Sequence, residues 1–265
     1  MGGRRSGRGT YTQNVCGRFV SVSSPASLST YFEANDDQSG LIEAEGERWR
    51  ANANVAPGRQ ILAVVEQPDE GRRLVRRRWG LIPPWAKDQS VGYRMINARC
   101  ETAQSKPSFR KAAAGRRALV PADGFYEWYR PSAGAKQPYL IHRPDGEPYA
   151  FGALWERWSP ADGDREVRSV AILTTQANDQ MAHIHDRMPV LIARADWAEW
   201  LGHDRLPEER FSELCAPAHD DLITYRPVST EVNDARHKGV HLLEAVPAPP
   251  GAPFATDGSV PVRPR

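Results

Sequence analysis

The chain lacks the features of a membrane-spanning or exported protein. No apolar run in its 265 residues reaches the ~18 needed to cross a bilayer, and no hydrophobic segment with a small-residue cleavage site follows the N-terminus. Cysteine is scarce. Cys16, Cys100 and Cys215 stand far apart, odd in number and without a Cys-x-x-Cys pair, which excludes a disulfide framework or a zinc cluster and fits a reducing compartment. Strong charge of one sign is also missing. At a net charge of +2 the chain as a whole does not attract polyanions, so such a ligand would need a local basic surface. Two runs offer one, "RRLVRRRWG" at 72–80 and "FRKAAAGRR" at 109–117. Internal repeats are absent. These absences lead us to expect a cytoplasmic monomer with no membrane partner.

What is there suffices for one core, since 40% of the residues are hydrophobic. Residues 1–14 are Gly/Arg-rich with no acidic residue and no periodicity, and they read as disordered or foreign to the fold. From Pro247 the chain is too proline-rich to pack and is expected to be a disordered tail. The folded domain is therefore expected over 16–246. Within it, Ser24 as N-cap and Pro25 at the first helical position start a helix in "SPASLSTYF". Seven segments rich in β-branched and aromatic residues then read as strands: "ILAVVE", "RLVRRRWGLI", "RALVPA", "GFYEWYR", "QPYLIHR", "YAFGALWERW" and "SVAILTT". The turn signals "PSAGAK", "PDGE" and "PADGD" between them predict hairpins in series, hence an antiparallel meander. Short helices are expected at "NDQMAHI" and "ADWAEWL", the second with Asp196 in its first turn. The fold class is α+β, a single domain with an antiparallel, barrel-like sheet and a few peripheral helices.

Three polar groups stand where chemistry is plausible: Asn97 in "MINARCET", Glu127 in "PADGFYEWYR", and His183, His185, Asp186 and Arg187 in "MAHIHDRMPVLI". Read singly, each has a structural explanation: a turn cap, a solvent-facing carboxylate, satisfied histidines. Glu127 lies between Tyr126 and Trp128, where desolvation would raise its pKa and make it a usable acid near neutrality. His185 titrates in that range without a shift. On a strand, His183 and His185 would share a face, but no third ligand follows at a recognisable spacing, and no metal site is expected. A cysteine with a remote His and Glu is the general pattern of a thiol enzyme, and spacing alone does not choose the thiol. Cys100 and Cys215 are expected to be small, inert core residues.

Nine strings in order resemble one family: "CGRF" at 16–19, "NVAP" at 54–57, "WGLIPPWA" at 79–86, "NARCET" at 97–102, "LVPADGFYEW" at 119–128, "KQPY" at 136–139, "GALWE" at 152–156, "IHDRMPV" at 184–190 and "VN" at 232–233. It is the SRAP family, the SOS-response-associated peptidases, whose members crosslink to abasic sites in single-stranded DNA. The resemblance implies Cys16 as the crosslinking residue, through a Schiff base and then a thiazolidine. Asn97 would hold the N-terminus and sugar, Glu127 would donate and accept protons, and His185 would help open the sugar ring. Arg18 and Arg99 would bind phosphates flanking the lesion, Arg187 would also contact the DNA, and the "NVAP" loop with Asn54 and Pro57, together with Trp79, would support exposed or displaced bases. No cofactor is implied. The expected partner is single-stranded DNA carrying abasic sites, which would make the protein nucleoid-associated when bound.

Two departures stand out. Cys100 occupies a position where the family often has Ser. In the family the cysteine directly follows the initiator Met, whereas fifteen residues precede Cys16 here. An α-amine has a pKa near ~7.7–8.0 and is partly nucleophilic at pH 7, while an amide nitrogen is not nucleophilic at all. The expectation is therefore that residues 1–15 are absent from the active protein. Either translation starts at Val15, read from a GTG codon, or a leader is removed. Two other readings stand beside the first: a cysteine peptidase that processes its own leader, with lyase activity belonging to the crosslinking route, and a non-catalytic single-strand binder.

Overall fold

The computed structural model describes residues 16–36, 49–131, 134–161, 163 and 165–253. The expected leader and residues 254–265 of the expected tail lie outside them. The strands are β1 (Phe19–Ser21), β2 (Asn35–Asp36), β3 (Asn52–Val55), β4 (Gln60–Gln67), β5 (Gly71–Trp79), β6 (Asn97–Arg99), β7 (Arg117–Ala122), β8 (Gly124–Tyr129), β9 (Gln137–His142), β10 (Tyr149–Trp158), β11 (Val167–Gln176), β12 (Arg187–Pro189) and β13 (Thr224–Pro227). Five of them, β4, β5, β11, β10 and β7, close on one another as a barrel. A second sheet runs β13-β9-β8-β1-β3.

β4, β7 and β10 are largely apolar because both of their faces are covered, whereas β5 carries five arginines and buries only Leu74, Arg77 and Trp79. Along β4, Ile61, Ala63 and Val65 pack with Phe19, Phe125 and Ile141 of the second sheet. The intervening Leu62 and Val64 pack with Phe32, Ala112, Trp200 and Phe211 from the helices. A smaller cluster on the second sheet's other face holds Val20, Tyr126, Leu140 and Val232.

All seven expected strands form, and Ser24 caps the helix Pro25–Phe32 by accepting the Ser27 N–H. The meander does not. The hairpins at "PSAGAK" (β8–β9) and "PADGD" (β10–β11) are present, but "PDGE" carries the chain from β9 in one sheet to β10 in the other. The barrel also closes through a parallel pair, Ser169 opposite Arg78 and Val170 opposite Trp79. The helix in "ADWAEWL" spans Trp197–Leu201, but the Asp196 side chain caps no N–H there and pairs with Arg210 at 2.8 Å. The tail prediction fails at its near end. Ala252 is buried, and Tyr139 and Tyr129 donate to the carbonyls of Pro253 and Gly251 at 2.7 and 3.2 Å. Tyrosine hydroxyls thus satisfy a backbone that its prolines exclude from any ladder.

Two glycines pass back to back beside the barrel. Gly80 has φ +119°, and a Cβ there would lie 2.5 Å from the Gly92 carbonyl oxygen. Because the clash is with backbone at a φ that L side chains avoid, Gly80→Ala should destabilise the fold by roughly 2–4 kcal/mol. Urea unfolding measures this, and a loss under about 1 kcal/mol would show that the two segments separate easily.

Candidate active site

Cys16 lies just before β1, fully buried, with φ 51°. Its backbone N–H donates to Oε1 of Glu127 in a short hydrogen bond. The contact follows from sheet register: β1 and β8 pair antiparallel with Phe19 opposite Phe125, and the Tyr126 N–H donates to the Arg18 carbonyl at 3.0 Å. Asp123 fixes that register from the other end, where its carboxylate accepts from the N–H groups of Val22 and Ser23 at 2.6 and 2.9 Å and from the Ser23 hydroxyl.

Glu127 is 3% exposed. Burial pushes its carboxyl up to about 8, opposed by the N–H donors of Cys16 and Trp128 and reinforced by the Asp186 charge. The Cys16 thiol is likewise raised, first by burial and then by Glu127.

His185 and Asp186 lie between the helix Asp179–Ala182 and β12. This segment is a turn and not a strand, with His183 exposed, so the two histidines share no face. Among the described residues no group of metal-binding side chains forms. The Nδ1 atom of His185 accepts the Arg187 N–H at 3.1 Å and also lies 2.9 Å from a carboxylate oxygen of Asp186. One nitrogen cannot accept and donate at once. Burial lowers the His185 pKa, so we assign the neutral ring with its proton on Nε2, accepting from Arg187; on protonation Nδ1 donates to Asp186 instead.

The remaining expected residues divide. Asn97 and Arg99 sit on β6 and Arg187 on β12, and both strands pair with the end of β11, with Arg99 opposite Thr174 and Arg187 opposite Gln176. Arg99 is exposed and Pro57 half-buried. Arg187 is committed to a bidentate pair with Glu101 and to the Thr174 carbonyl at 2.7 Å. Glu101 therefore has Arg187, and not Arg99, as its ion-pair partner.

Trp79 departs most from expectation: it is 1% exposed, edge-on to Phe19, and its indole N–H donates to the Ile96 carbonyl at 3.0 Å. It packs in the core beneath Phe19, with almost no surface to offer a base. Asn54 is also buried, donating to the carbonyls of Val232, Asp234 and His237 at 3.0, 3.1 and 3.0 Å while accepting from Arg18 at 2.8 Å. Arg18 itself bonds the Val232 and Asn233 carbonyls at 2.8 and 3.1 Å. Arg18 and Asn54 thus clamp the 232–237 loop. Sequence reasoning assigned Trp128 no role, yet its indole N–H holds Asn233 at 2.7 Å beside Glu127; the "VN" string was the available signal.

The basic runs are largely spent on the fold. Arg117 is buried with its guanidinium on the carbonyls of Ala113, Trp200 and Asp204, and Arg116 pairs with Glu156. Arg77 is buried against Trp155, and Arg72 and Arg73 pair with Glu33 and Glu70.

With Cys16 in peptide linkage, Glu127 holds a proton at pH 7 that the unfolded chain releases near its ordinary value. Between those two pKa values the native state binds more protons, so stability falls as pH rises toward 8. Glu127→Gln should remove this slope. Relative to wild type, its unfolding free energy should rise by about 1 kcal/mol per pH unit between roughly pH 5 and 7.5. Parallel pH profiles in urea titrations would mean that Glu127 is ionised in the fold.

Comparison with known proteins places the chain. The family model described as SOS response associated peptidase (SRAP) matches residues 15–235. The abasic site processing protein YoqW of Bacillus subtilis is 39% identical over 232 residues, covering 87% of this chain and 100% of the relative. YedK of Escherichia coli, of the same description, is 32% identical over 197 residues, covering 73% and 84%. A solved structure of a protein from Bacteroides thetaiotaomicron superposes with TM-score 0.74 at 21% identity, covering 83% of this chain and 97% of that one, and so shares its fold. With its family match spanning the sheets and Cys16, Glu127 and His185, the chain belongs to the SRAP family.

Proposed function

We propose that the protein processes abasic sites in single-stranded DNA, and that in its active form Cys16 is the N-terminal residue and crosslinks covalently to the lesion. The observation that carries this reading is the hydrogen bond from the Cys16 backbone nitrogen to a buried carboxyl held near neutrality. The description of the relatives as abasic site processing proteins supports the substrate.

With residues 1–15 gone, the same nitrogen is an α-amine whose pKa of ~7.7–8.0 lies close to that of Glu127, so the pair shares a proton. Protonated His185, its Nδ1–H held by Asp186, gives the Nε2 proton to the ring oxygen as the C–O bond breaks, and Nε2 then takes the proton of the C1 hydroxyl as the aldehyde forms. The amine attacks the aldehyde carbon, forming a C–N bond. Glu127 then protonates the departing hydroxyl, and water leaves to give the iminium. The thiol passes its proton to Glu127 as sulfur bonds to the same carbon, closing the five-membered thiazolidine. A raised thiol pKa suits this order, because sulfur stays protonated and inert until the iminium has formed. Asn97 positions the amine and sugar. Arg99, exposed at the end of β6, contacts a flanking phosphate, while Arg187 is a positioning residue held by Glu101.

The test incubates protein expressed from its natural gene with a single strand carrying one abasic site. A heat-stable shifted band is expected, with Cys16 as the first residue of the crosslinked peptide. A product that retains Met1–Val15 and still carries a thiazolidine-type link would refute the mechanism. Glu127→Gln should slow crosslinking by ~10²–10⁴-fold with DNA affinity nearly unchanged; unaltered kinetics would leave Glu127 a structural role.

Arg99→Ala should act on binding instead. It is expected to weaken single-strand affinity at low salt and to reduce the slope of log K against log salt by about 0.7, the loss of one phosphate contact. An unchanged slope would assign Arg99 to the fold.

A further inference from the structure

Two thiols far from Cys16 in sequence meet at the base of the segment that carries Arg99. Cys100 opens the short helix Cys100–Ala103 and is half-buried; Cys215 follows the helix Glu208–Leu214 and is 1% exposed. Both pack into the cluster of Ala103, Leu214 and Leu173 that underlies the helices, and their side chains are hydrogen-bonded to each other.

We propose that Cys100 and Cys215 form a peroxide-sensitive dithiol, in which Cys100 is oxidised first and Cys215 closes a reversible disulfide, while Cys16 is spared. The asymmetry between the two thiols assigns the roles. The Cys100 thiol is lowered from its ordinary pKa, first by the hydrogen bond from Cys215 and further by one from Thr175 and by the Arg187 charge, against burial and Glu101. Cys215, the donor, is raised by that same bond and by burial. A partly exposed thiol of lowered pKa is the nucleophile toward peroxide, and a buried thiol of raised pKa is not. Cys16 is fully buried and raised, which places it with the unreactive class.

The chemistry balances with hydrogen peroxide as oxidant. The Cys100 thiolate attacks one peroxide oxygen, the O–O bond breaks, and the departing hydroxide takes a proton to leave as water, giving a sulfenic acid. The Cys215 sulfur then attacks the Cys100 sulfur. The S–S bond forms, the S–O bond breaks, and the hydroxyl leaves as a second water with the Cys215 proton. A thiol reductant reverses the reaction.

The test treats the full chain with hydrogen peroxide and maps its peptides under non-reducing conditions. The expected product is a Cys100–Cys215 linked peptide, with Cys16 still alkylatable and the link lost on reduction. In Cys215→Ala, a dione probe should trap a sulfenic acid on Cys100. Cys100→Ser, which keeps size and a hydroxyl for Thr175, should consume peroxide at least about tenfold more slowly. The proposal is overturned if Cys16 oxidises before Cys100, if Cys100 reaches the sulfinic acid in wild type without a disulfide, or if Cys100→Ser reacts as fast as wild type.

Discussion

A carboxyl buried among apolar side chains must either stay neutral or be given donors, and Glu127 does both. Its proton is retained by desolvation, and one of its oxygens accepts from the Cys16 nitrogen. That contact fixes where β1 begins relative to β8, and a slip of one residue in either strand would turn the carboxyl to the opposite face. Asp123 holds the same pairing at its other end by accepting from three donors. The rest of the site is arranged around this pairing. His185, Asp186 and β12 approach along β11, and the 232–237 loop is drawn in by Arg18, Asn54 and Trp128.

Much of this was legible in the chain. The strands were readable because residues covered on both faces leave long β-branched and aromatic runs, and the N-cap Ser24 with Pro25 announced its helix. The order of strands was not, since "PDGE" has the same local chemistry whether the chain turns back into its own sheet or crosses to another. Short helices such as Arg110–Gly115 went unread, because six residues give too little periodicity.

Candidate site residues could be picked out one by one in the chain, but the way each one points could not. A polar or aromatic letter does not say which way it points. Trp79 and Asn54 fit a base-binding loop in sequence, yet the fold turns one into the core and uses the other to satisfy three carbonyls. Arginine is the extreme case. Arg18, Arg117, Arg187 and Arg226 all send guanidinium N–H groups to backbone carbonyls, so much of the basic composition closes loops and helix ends. Local runs such as "FRKAAAGRR" therefore overstate the charge offered to a polyanion.

The parallel pairing of β5 with β11 carries a consequence for how the chain reaches its fold. Antiparallel neighbours joined by a hairpin find each other locally, but Trp79 waits for Val170, and Cys16 waits for Glu127 and then for the His185 loop. On a ribosome the barrel stays open until β11 has emerged, and until then the inner faces of β4 and β5 are exposed to other chains. Cys16 and Glu127 thus meet only once nearly half of the polypeptide exists, and the loop whose Asp186 charge acts on Glu127 reaches them later still, so this corner of the molecule is completed well after its first strand has formed.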